Sequence, residues 1–489
     1  MRSVIMIAHD FPPEGNAGAH RPLRFVRHLP GLGWQPTVVT LDTNVYERYD
    51  PSLLKLVPDI KVIHVRNPDP WRAFQNTRRQ RLKRQISSNA LMASRIQEAQ
   101  HKPRRALLRR LVRKAEAWSY HPDSAMGWIR PALKATLRIC ATKRPDVIWA
   151  TAGPVSSFVV AQRASAKTGI PYVLDFRDAW TITYNEFEAR QPLWAQRRAH
   201  KFMYRLLQGS RAVVFRYESE AECFWRAYPC ALNDRKVHII PNGFDGDVEP
   251  HKAPTVTNKC RILYTGTLGD YRYNTLLQAL RILKDESPQL AKCLQLQFVG
   301  DDNQHLGEMT ATLGLSDMIA ISDSSTFAEV TQLSRDAHIL LVLGRYSTMK
   351  GYELFAPAKL FGYMKMGRPI LGVLPRDEAR NILNQIGAPT VVDVDSIPEI
   401  ITIMRHLVQM WECNRLDSLV PNIEACRLFA AVRQAVPLTR ALEGKPAAKA
   451  FVPRIETLPP SLRTEIHARA LEAQRLGYFR RPKYRDCFN

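Results

Sequence analysis

Short apolar runs alternate with amphipathic stretches through the first half of the chain. The run at residues 4–8 has the length of a buried strand, and a loop rich in Pro and Gly follows it. Leu23, Val26 and Leu29 then recur at helical spacing before the next apolar run, which begins at Pro36. Strand, loop, helix and strand in this order predict a parallel α/β sheet. Further strand-like runs begin at Ile60, Asp146, Pro171, Arg211 and Val237.

A second series of apolar runs fills the other half of the chain. Segment 245–259, which carries Pro and charged residues, separates the two series and is the predicted domain boundary. The pattern predicts an α/β protein with two doubly wound, Rossmann-like domains facing a cleft, where ligands sit at the carboxyl ends of the strands. We place an N-terminal domain at 1–245, a C-terminal domain at 246–430 and a basic extension at 431–489. The runs of the second series begin at Arg261, Leu294, Asp317, Ala337 and Arg368.

The positive charge of the chain is concentrated in two segments. The 489 residues carry a formal net charge of +24, from 70 Lys and Arg against 46 Asp and Glu. Residues 66–118 hold 15 Lys or Arg against 3 acidic residues, and residues 440–489 hold 11 against 5. The first segment belongs to a predicted basic helical insertion at 66–125. Such a charge indicates an anionic partner: a membrane surface, a phosphate-bearing substrate or nucleic acid.

Two glycine-rich turns are candidate phosphate contacts. Gly15 and Gly18 lie between the first strand and the first helix, and Gly266 and Gly269 follow the first strand of the second series. Turns of this kind let backbone N–H groups approach an anion at the start of a helix. Arg272 adds a cation to the second turn. The first turn matches neither GxGxxG nor a P-loop, so a simple tight turn is the alternative interpretation.

Polar residues also follow two strands of the first series. A small-residue turn contains Gly153, and Ser156 is expected to cap the next helix. Asp175, Arg177 and Asp178 cluster at the end of the following strand, at the edge where parallel sheets bind ligands. A structural Asp–Arg ion pair is the alternative interpretation of this cluster.

The helix predicted after residue 356 begins with a cation. Pro357 is placed at the first helical position, where its missing N–H is not needed. Lys359 then lies in the first turn, where a cation opposes the helix dipole unless an anion binds there. We interpret Lys359 as an anion ligand, with a solvated surface lysine as the alternative.

Six segments together resemble the GT-B glycosyltransferases of the large retaining group 1 (family 4) type, which act in bacterial polysaccharide assembly. The segments occur in the family's order over residues 1–430, and the basic stretch before HPDSAMGWIRPAL is similar to an insertion that some relatives carry. They read FPPEGNAGAHRPLRF, RPDVIWATAGPVSS, GIPYVLDFRDAW, VHIIPNGFD, RILYTGTL and FAPAKLFGYMKMGRPIL.

The resemblance implies a UDP- or GDP-linked sugar donor on the C-terminal domain and an acceptor on the N-terminal domain, with the crossover at Asn242 and Gly243. Lys359 and Arg272 would contact the donor diphosphate, and Asp178 would orient or deprotonate the acceptor hydroxyl. The implied catalytic residues are Asp178, Arg177, Lys359 and Arg272. The implied donor-binding residues are Gly18, Gly266, Thr267, Arg272, Pro357, Lys359 and Leu360. The implied acceptor-side residues are His20, Arg21, Gly153 and Asp175.

Two positions depart from the family's pattern. Gly362 stands where the family's Glu-x7-Glu motif has its second Glu, which usually contacts the ribose hydroxyls. The first Glu of the motif falls near Leu354, with Glu353 one residue out of register. Arg177 and Asp178 replace a His-Asp pair common in the wider group, as in relatives that carry DxRDxW. A non-catalytic GT-B scaffold is therefore an alternative.

The expected activity is retaining hexosyl transfer to a glycan or lipid-linked acceptor without a metal or other cofactor. No DxD motif stands in a suitable loop, and no Cys or His spacing fits a metal site. Asp301 and Asp302 are interpreted as a helix cap. The same residues also leave open a sugar-nucleotide epimerase and a nucleic-acid-binding protein. Nucleic acid is disfavoured because the basic segment has no recognised reader fold.

The sequence predicts a cytoplasmic protein that associates peripherally with a membrane. The first apolar run is too short for a signal peptide, and no apolar stretch reaches the length of a membrane span. Leu107, Leu108, Leu111 and Val112 share one face of a predicted helix that is surrounded by arginines. Such a basic amphipathic helix can lie on anionic lipid. Packing of this face on the N-terminal domain is the alternative.

Overall fold

Two parallel sheets organise the chain. The structure, a computed structural model, describes residues 1–42, 49–68, 122–177, 180–181, 193–251, 258–269, 271–301, 304–323, 325–345, 354–453, 463–464, 467–468 and 471. Every strand pair in both sheets is parallel. Helices cover both faces of such sheets, which is why the strands read as continuous apolar runs rather than alternating ones.

The N-terminal sheet has seven strands in the order β3-β2-β1-β4-β5-β6-β7. The strands are β1 (Arg2–Ile7), β2 (Trp34–Leu41), β3 (Lys61–Val65), β4 (Val147–Thr151), β5 (Tyr172–Asp175), β6 (Ala212–Phe215) and β7 (Val237–Ile239). The helices are α1 (Ala17–His28), α2 (Met126–Thr142), α3 (Ser156–Thr168), α4 (Leu193–Gly209) and α5 (Glu218–Ala227), with short 3-10 helices at Pro30–Leu32 and Pro51–Leu56. Strand order reverses at β1, so β1 and β4 flank the crevice where ligands bind in doubly wound sheets.

The C-terminal sheet repeats this plan with six strands in the order β10-β9-β8-β11-β12-β13. The strands are β8 (Cys260–Thr265), β9 (Leu294–Val299), β10 (Ile319–Ser322), β11 (Ile339–Leu343), β12 (Ile370–Leu374) and β13 (Val391–Asp393). The helices are α6 (Asn274–Glu286), α7 (Pro288–Lys292), α8 (Gln304–Thr312), α9 (Phe327–Asp336), α10 (Ala358–Lys365), α11 (Glu378–Gln385), α12 (Ile397–Glu412) and α13 (Ile423–Arg427), with a 3-10 helix at Leu416–Leu419. The reversal point here lies between β8 and β11.

Helix α14 (Ala431–Glu443) returns to the N-terminal domain. Its apolar face, which includes Leu438 and Leu442, is buried in the N-terminal core with Phe25 and Trp149. The segment expected to begin a basic extension at residue 431 therefore starts with a helix that completes the N-terminal core.

The chain crosses between the domains twice, and the two crossings are hydrogen-bonded to each other. The N–H of Phe244 donates to the carbonyl of Phe429 at 3.2 Å, and the N–H of Ala431 donates to the carbonyl of Phe244 at 2.7 Å. A Cβ at Gly243 would clash with the Phe429 carbonyl, so glycine is required for this close approach. Asn242 and Gly243 thus stand directly before the first crossing.

The basic insertion lies outside the described residues over 69–121, and so does the predicted amphipathic helix with Leu107, Leu108, Leu111 and Val112. Most of the region after residue 453 also lies outside them. Among the helices that the structure describes, none has both the length and the apolar character of a membrane span.

Candidate active site

The candidate site begins where β8 ends and the chain forms a tight turn at residues 266–268, here called the Gly266 turn. Gly266 has a φ of +104°, a conformation that side chains rarely adopt. A Cβ on Gly300, which follows the neighbouring strand β9, would clash with the Gly266 carbonyl. The Tyr264 hydroxyl donates to the Thr267 carbonyl at 3.1 Å and braces the turn. Glycines thus let the two strand ends meet closely.

Lys359 places its ammonium group against this turn. It is the second residue of α10, and its Nζ lies 3.5 Å from the centre of the Tyr264 ring and 4.7 Å from that of Tyr271. Nζ is buried and has no hydrogen-bond partner in the described part of the chain. Burial lowers the pKa of Lys359 well below 10.5. The group is an amine held without an acceptor, and an arriving anion would supply the acceptor and favour the charged form of the amine.

The start of α10 differs from the prediction at one residue. Pro357 is the N-cap, with φ −64° and ψ 142°, and the helix begins at Ala358 rather than at the proline. Lys359 still lies in the first turn. The Leu360 side chain is buried in the core, and its N–H donates to the Pro357 carbonyl at 3.0 Å. Leu360 therefore anchors the helix start, and its predicted donor contact stays a prediction.

The side chain of Arg272 contacts Asp395. Its guanidinium forms an ion pair with that carboxylate, and its backbone N–H donates to the Gly344 carbonyl at 2.8 Å. The Asp395 side chain is 66% exposed and that of Arg272 25%, so this ion pair is partly exposed to solvent. The role of Arg272 at the diphosphate stays a prediction that requires its side chain to turn from Asp395.

The other half of the site surrounds Arg177 after β5. Its Nη2 donates to the Gly153 carbonyl at 3.0 Å, and its Nη1 donates to Oδ2 of Asp10 at 3.3 Å. A Cβ at Gly18 or at Gly153 would lie closer than 3.0 Å to the Arg177 guanidinium. The structure thus brings together Gly18, Gly153 and Arg177, three of the predicted residues, at the carboxyl ends of neighbouring strands.

His9 and Asp10, which follow β1 after Ala8, are site residues that sequence reasoning missed. Nδ1 of His9 lies 2.8 Å from Oδ1 of Asp10, and the His9 ring packs edge-on against Trp128. Burial alone would raise the pKa of Asp10, but the hydrogen bond with His9 and the charge of Arg177 lower it below 3.8. Asp10 is thus held as a carboxylate that orients Arg177. Their position at the end of a central strand was the available signal.

Asp123 is a third residue that sequence reasoning missed. The N–H and Oγ of Ser156, the first residue of α3, donate to its carboxylate at 2.8 and 2.6 Å. The predicted capping by Ser156 is therefore reversed, because the serine donates and the aspartate caps the helix. Burial raises the pKa of Asp123 despite these hydrogen bonds.

Arg21 and Asp175 form a buried ion pair. Nε of Arg21 donates to both carboxylate oxygens at 3.1 and 2.9 Å, and Nη2 donates to Oδ1 at 2.7 Å. The remaining donors of Arg21 reach the carbonyls of Ile240 and Pro241 and the side chain of Asn242. The ion pair expected as the alternative thus exists, with Arg21 as the cation instead of Arg177. This geometry favours a structural role at the crossover over acceptor contact.

His20 faces the C-terminal domain. Its ring lies 5.4 Å from the ring of Phe327, the first residue of α9. Burial, with a smaller contribution from Arg24, lowers the pKa of His20 to about 4. It is therefore a neutral contact between the domains at physiological pH, and its predicted acceptor role stays a prediction.

Two residues that the family resemblance brought into the analysis of the site, Asp178 and Glu353, lie outside the described residues. At Gly362, one helical turn after Lys359, an added Cβ would meet nothing within 4 Å, so the place of the family's second Glu is open space. Leu354 is buried at 1% exposure. No group of three or more His, Cys, Asp or Glu side chains in the described ranges could hold a metal ion.

Comparison with known proteins agrees with this two-domain arrangement. Residues 90–248 match the family model described as Glycosyltransferase Family 4. No curated protein sequence matched the chain. Among solved structures, a sucrose-phosphate synthase from Thermosynechococcus elongatus is similar with a TM-score of 0.59 at 13% identity, covering 91% of this chain and 98% of that one.

Two further structures are similar over most of the chain. WaaG, a glycosyltransferase involved in lipopolysaccharide biosynthesis, has a TM-score of 0.52 at 13% identity, covering 90% of this chain and 98% of that one. A UDP-GlcNAc 2-epimerase from Neisseria meningitidis bound to UDP-GlcNAc has a TM-score of 0.50 at 12% identity, covering 91% of this chain and 100% of that one. The fold is GT-B, as the sequence predicted; at these identities the likenesses show the fold alone.

Proposed function

We propose that this protein is a glycosyltransferase that moves a hexose from a UDP- or GDP-sugar to a glycan or lipid-linked acceptor. The observation that carries the proposal is the Lys359 ammonium, buried at the Gly266 turn without a hydrogen-bond partner in the described residues. A buried charge without a partner costs free energy, and a diphosphate would supply both the opposite charge and strong acceptors. The match of residues 90–248 to Glycosyltransferase Family 4 supports a sugar donor as the source of that diphosphate.

The chemistry required is departure of a nucleoside diphosphate from the anomeric carbon. Negative charge develops on the leaving oxygen, and a fixed cation next to it stabilises the transition state. Lys359 would supply this charge, helped by the N-terminal end of α10. Arg272 would join it, because a partly exposed ion pair such as the one with Asp395 contributes only about 0–1 kcal/mol and is readily exchanged for a phosphate.

The N-terminal half of the site would hold the acceptor and the donor sugar. Arg177 is fixed by Asp10 and by the Gly153 carbonyl, so its charge is directed at the crevice beside Gly18. We assign Asp178, the next residue in the chain, to orient or deprotonate the acceptor hydroxyl. The same proposal includes retention of the anomeric configuration of the transferred sugar.

The decisive experiment measures nucleotide affinity at Lys359. We expect the purified protein to bind UDP or GDP by isothermal titration calorimetry. Lys359→Ala removes a charge-assisted contact of about 1.5–3 kcal/mol, so the Kd should rise about 10- to 150-fold. Lys365→Ala, at the other end of the same helix, is the matched control and should bind as the wild type does. Equal affinity in the Lys359 variant, with an unchanged circular dichroism spectrum, would remove the assignment.

We also propose that transfer needs no divalent metal, because Lys359 and Arg272 can carry the charge of the leaving group. Release of UDP or GDP from the sugar nucleotide should persist after exhaustive EDTA treatment, with a glycolipid fraction or water as acceptor. Loss of release in EDTA and its recovery with magnesium or manganese would contradict the proposal. Conversion of UDP-GlcNAc to its 2-epimer without an acceptor would instead identify an epimerase.

A further inference from the structure

Two tyrosines enclose the ammonium group of Lys359. Nζ lies 3.5 Å from the Tyr264 ring centre and 4.7 Å from the Tyr271 ring centre, both within the distance of about 6 Å over which a cation is attracted to an aromatic face. The two rings meet edge to face, with centroids 5.9 Å apart at 72°. We call this arrangement the aromatic cage.

The two tyrosines of the cage flank the Gly266 turn in the sequence. Tyr264 is fully buried at the end of β8, and its hydroxyl holds the Thr267 carbonyl. Tyr271 closes the far side of the turn, where its N–H donates to the Leu268 carbonyl at 2.7 Å. Any ligand bound by the turn is therefore at a fixed distance from the cage.

Structure on the outer side of Tyr271 holds that ring in place. Tyr271 pairs with Arg345 in an isolated antiparallel bridge, and the Arg345 guanidinium lies 5.9 Å from the Tyr271 ring centre and 4.8 Å from that of Phe355. The Tyr363 hydroxyl, from α10, lies 2.9 Å from Oγ1 of Thr265 at the end of β8. The helix that carries Lys359 and the strand that carries Tyr264 are thus tied together.

An aromatic cage suits a lysine that must bind an anion. A carboxylate partner would neutralise the ammonium and compete with the ligand, whereas ring faces attract the cation and leave its N–H donors unused. A free lysine side chain also has many rotamers, and holding it in one of them reduces the entropy lost on binding.

We propose that Tyr264 and Tyr271 are positioning residues that hold the Lys359 ammonium at the Gly266 turn for the incoming diphosphate. The identity of the anion rests on the proposed function; the position of the ammonium does not. Burial lowers the pKa of Lys359, so the arrival of a dianion also favours the charged form of the amine.

The first test is a double-mutant cycle on UDP and GDP affinity. Tyr271→Leu should raise the Kd about 5- to 30-fold, and Tyr271→Phe should retain most of the affinity because the ring remains. In the Lys359→Met background, Tyr271→Leu should cause no further loss, since the ring acts through the lysine. An equal loss in both backgrounds, or no loss in either, overturns the proposal.

The second test requires no nucleotide. Competitive acetylation followed by mass spectrometry measures the reactivity of Lys359 relative to Lys365 in the same helix. We expect Lys359 to react several-fold faster in Tyr271→Leu than in the wild type or in Tyr271→Phe. Equal relative reactivity in all three proteins contradicts the cage.

The two tests separate this inference from the proposed function. If the wild type binds neither UDP nor GDP, the proposed function fails, and the acetylation result still decides whether the rings cover the amine, which the inference requires. Faster acetylation with unchanged nucleotide affinity means that the rings only cover Lys359, and this overturns the positioning role. Tyr264→Leu repeats both tests at the nearer ring. Because Tyr271 is only partly buried, the Tyr271 variants carry the decision if the Tyr264 variant does not fold.

Discussion

Gly18 and Gly153 lie where the guanidinium of Arg177 needs room. Gly18 is in the first turn of α1, in a conformation that any residue can adopt, whereas Gly153 has a φ of +94°. At both positions the nearest atom that a Cβ would meet belongs to Arg177, and at Gly18 it would also clash with the carboxylate oxygen Oδ2 of Asp10. The far end of an arginine can move at low cost in stability, so an added methyl group should displace the guanidinium rather than unfold the domain.

We therefore expect Gly18→Ala to separate activity from stability. Alanine is favoured over glycine within a helix by about 1 kcal/mol, so the thermal unfolding midpoint should stay equal or rise slightly. Because a shift of about 1 Å in a positioned group can cost up to 100-fold in rate, kcat/KM for nucleotide release should fall about 10- to 100-fold.

Gly31→Ala is the matched control, because a Cβ there meets nothing within 4 Å. It should leave both kcat/KM and the unfolding midpoint unchanged. A Gly18→Ala protein with wild-type kcat/KM would show that the position of Arg177 does not matter for the reaction.

At the level of single residues, the sequence predicted the position of Lys359 but not the side chains that surround it. Helix-dipole reasoning placed Lys359 in a first turn, where the structure has it, and interpreted it as an anion ligand, which stays a prediction. It could not predict Tyr264 and Tyr271 as partners, because cation–π contacts depend on how three elements pack. It also assigned Arg21 to an acceptor, since sequence alone does not show that its donors are bonded internally.

At the level of elements, long apolar runs gave the strands reliably, and weaker patterns were missed. Both strand series appear where the runs predicted them, since strands covered on both faces must be apolar throughout. The three-residue edge strand β13 was missed, although β7, an edge strand of the same length, was predicted from the run that begins at Val237. Helix α14 was assigned to an extension because its apolar face has no local signal of which domain it covers.

The return of α14 also determines how the domains are joined. The two crossings share hydrogen bonds at Phe244, Phe429 and Ala431, so the joint is a pair of adjacent segments rather than one flexible linker. Ser219 also bonds Glu378 between the domains, and the Phe327 N–H donates to Asp50.

For the whole molecule, the distribution of charge argues for an anionic surface as partner. Segments 66–118 and 440–489 together carry 18 of the 24 excess positive charges, so the two α/β domains are close to neutral by comparison. A cleft that binds one diphosphate needs few cations, and the remaining charge is better suited to a surface. We propose that the basic insertion docks the protein on anionic lipid and brings the cleft to a lipid-linked acceptor.

Vesicle co-sedimentation tests this docking. The wild type should sediment with vesicles of anionic phospholipid and remain in solution with neutral ones, and added salt should weaken the binding. Changing Arg109, Arg110, Arg113 and Lys114 to Glu should reduce binding tenfold or more, since each basic residue near such a surface contributes about 1 kcal/mol.

The matched control is a second quadruple variant, with the same change in net charge at exposed residues that the structure describes. Lys134, Lys292, Arg415 and Arg433 are exposed and lie outside the insertion, and their replacement by Glu should reduce vesicle binding far less. Similar losses in the two quadruple variants would show that total charge, not the insertion, causes the binding. Equal recovery of the wild type with neutral and anionic vesicles would contradict docking altogether and would leave the apolar face of the insertion to pack on the N-terminal domain.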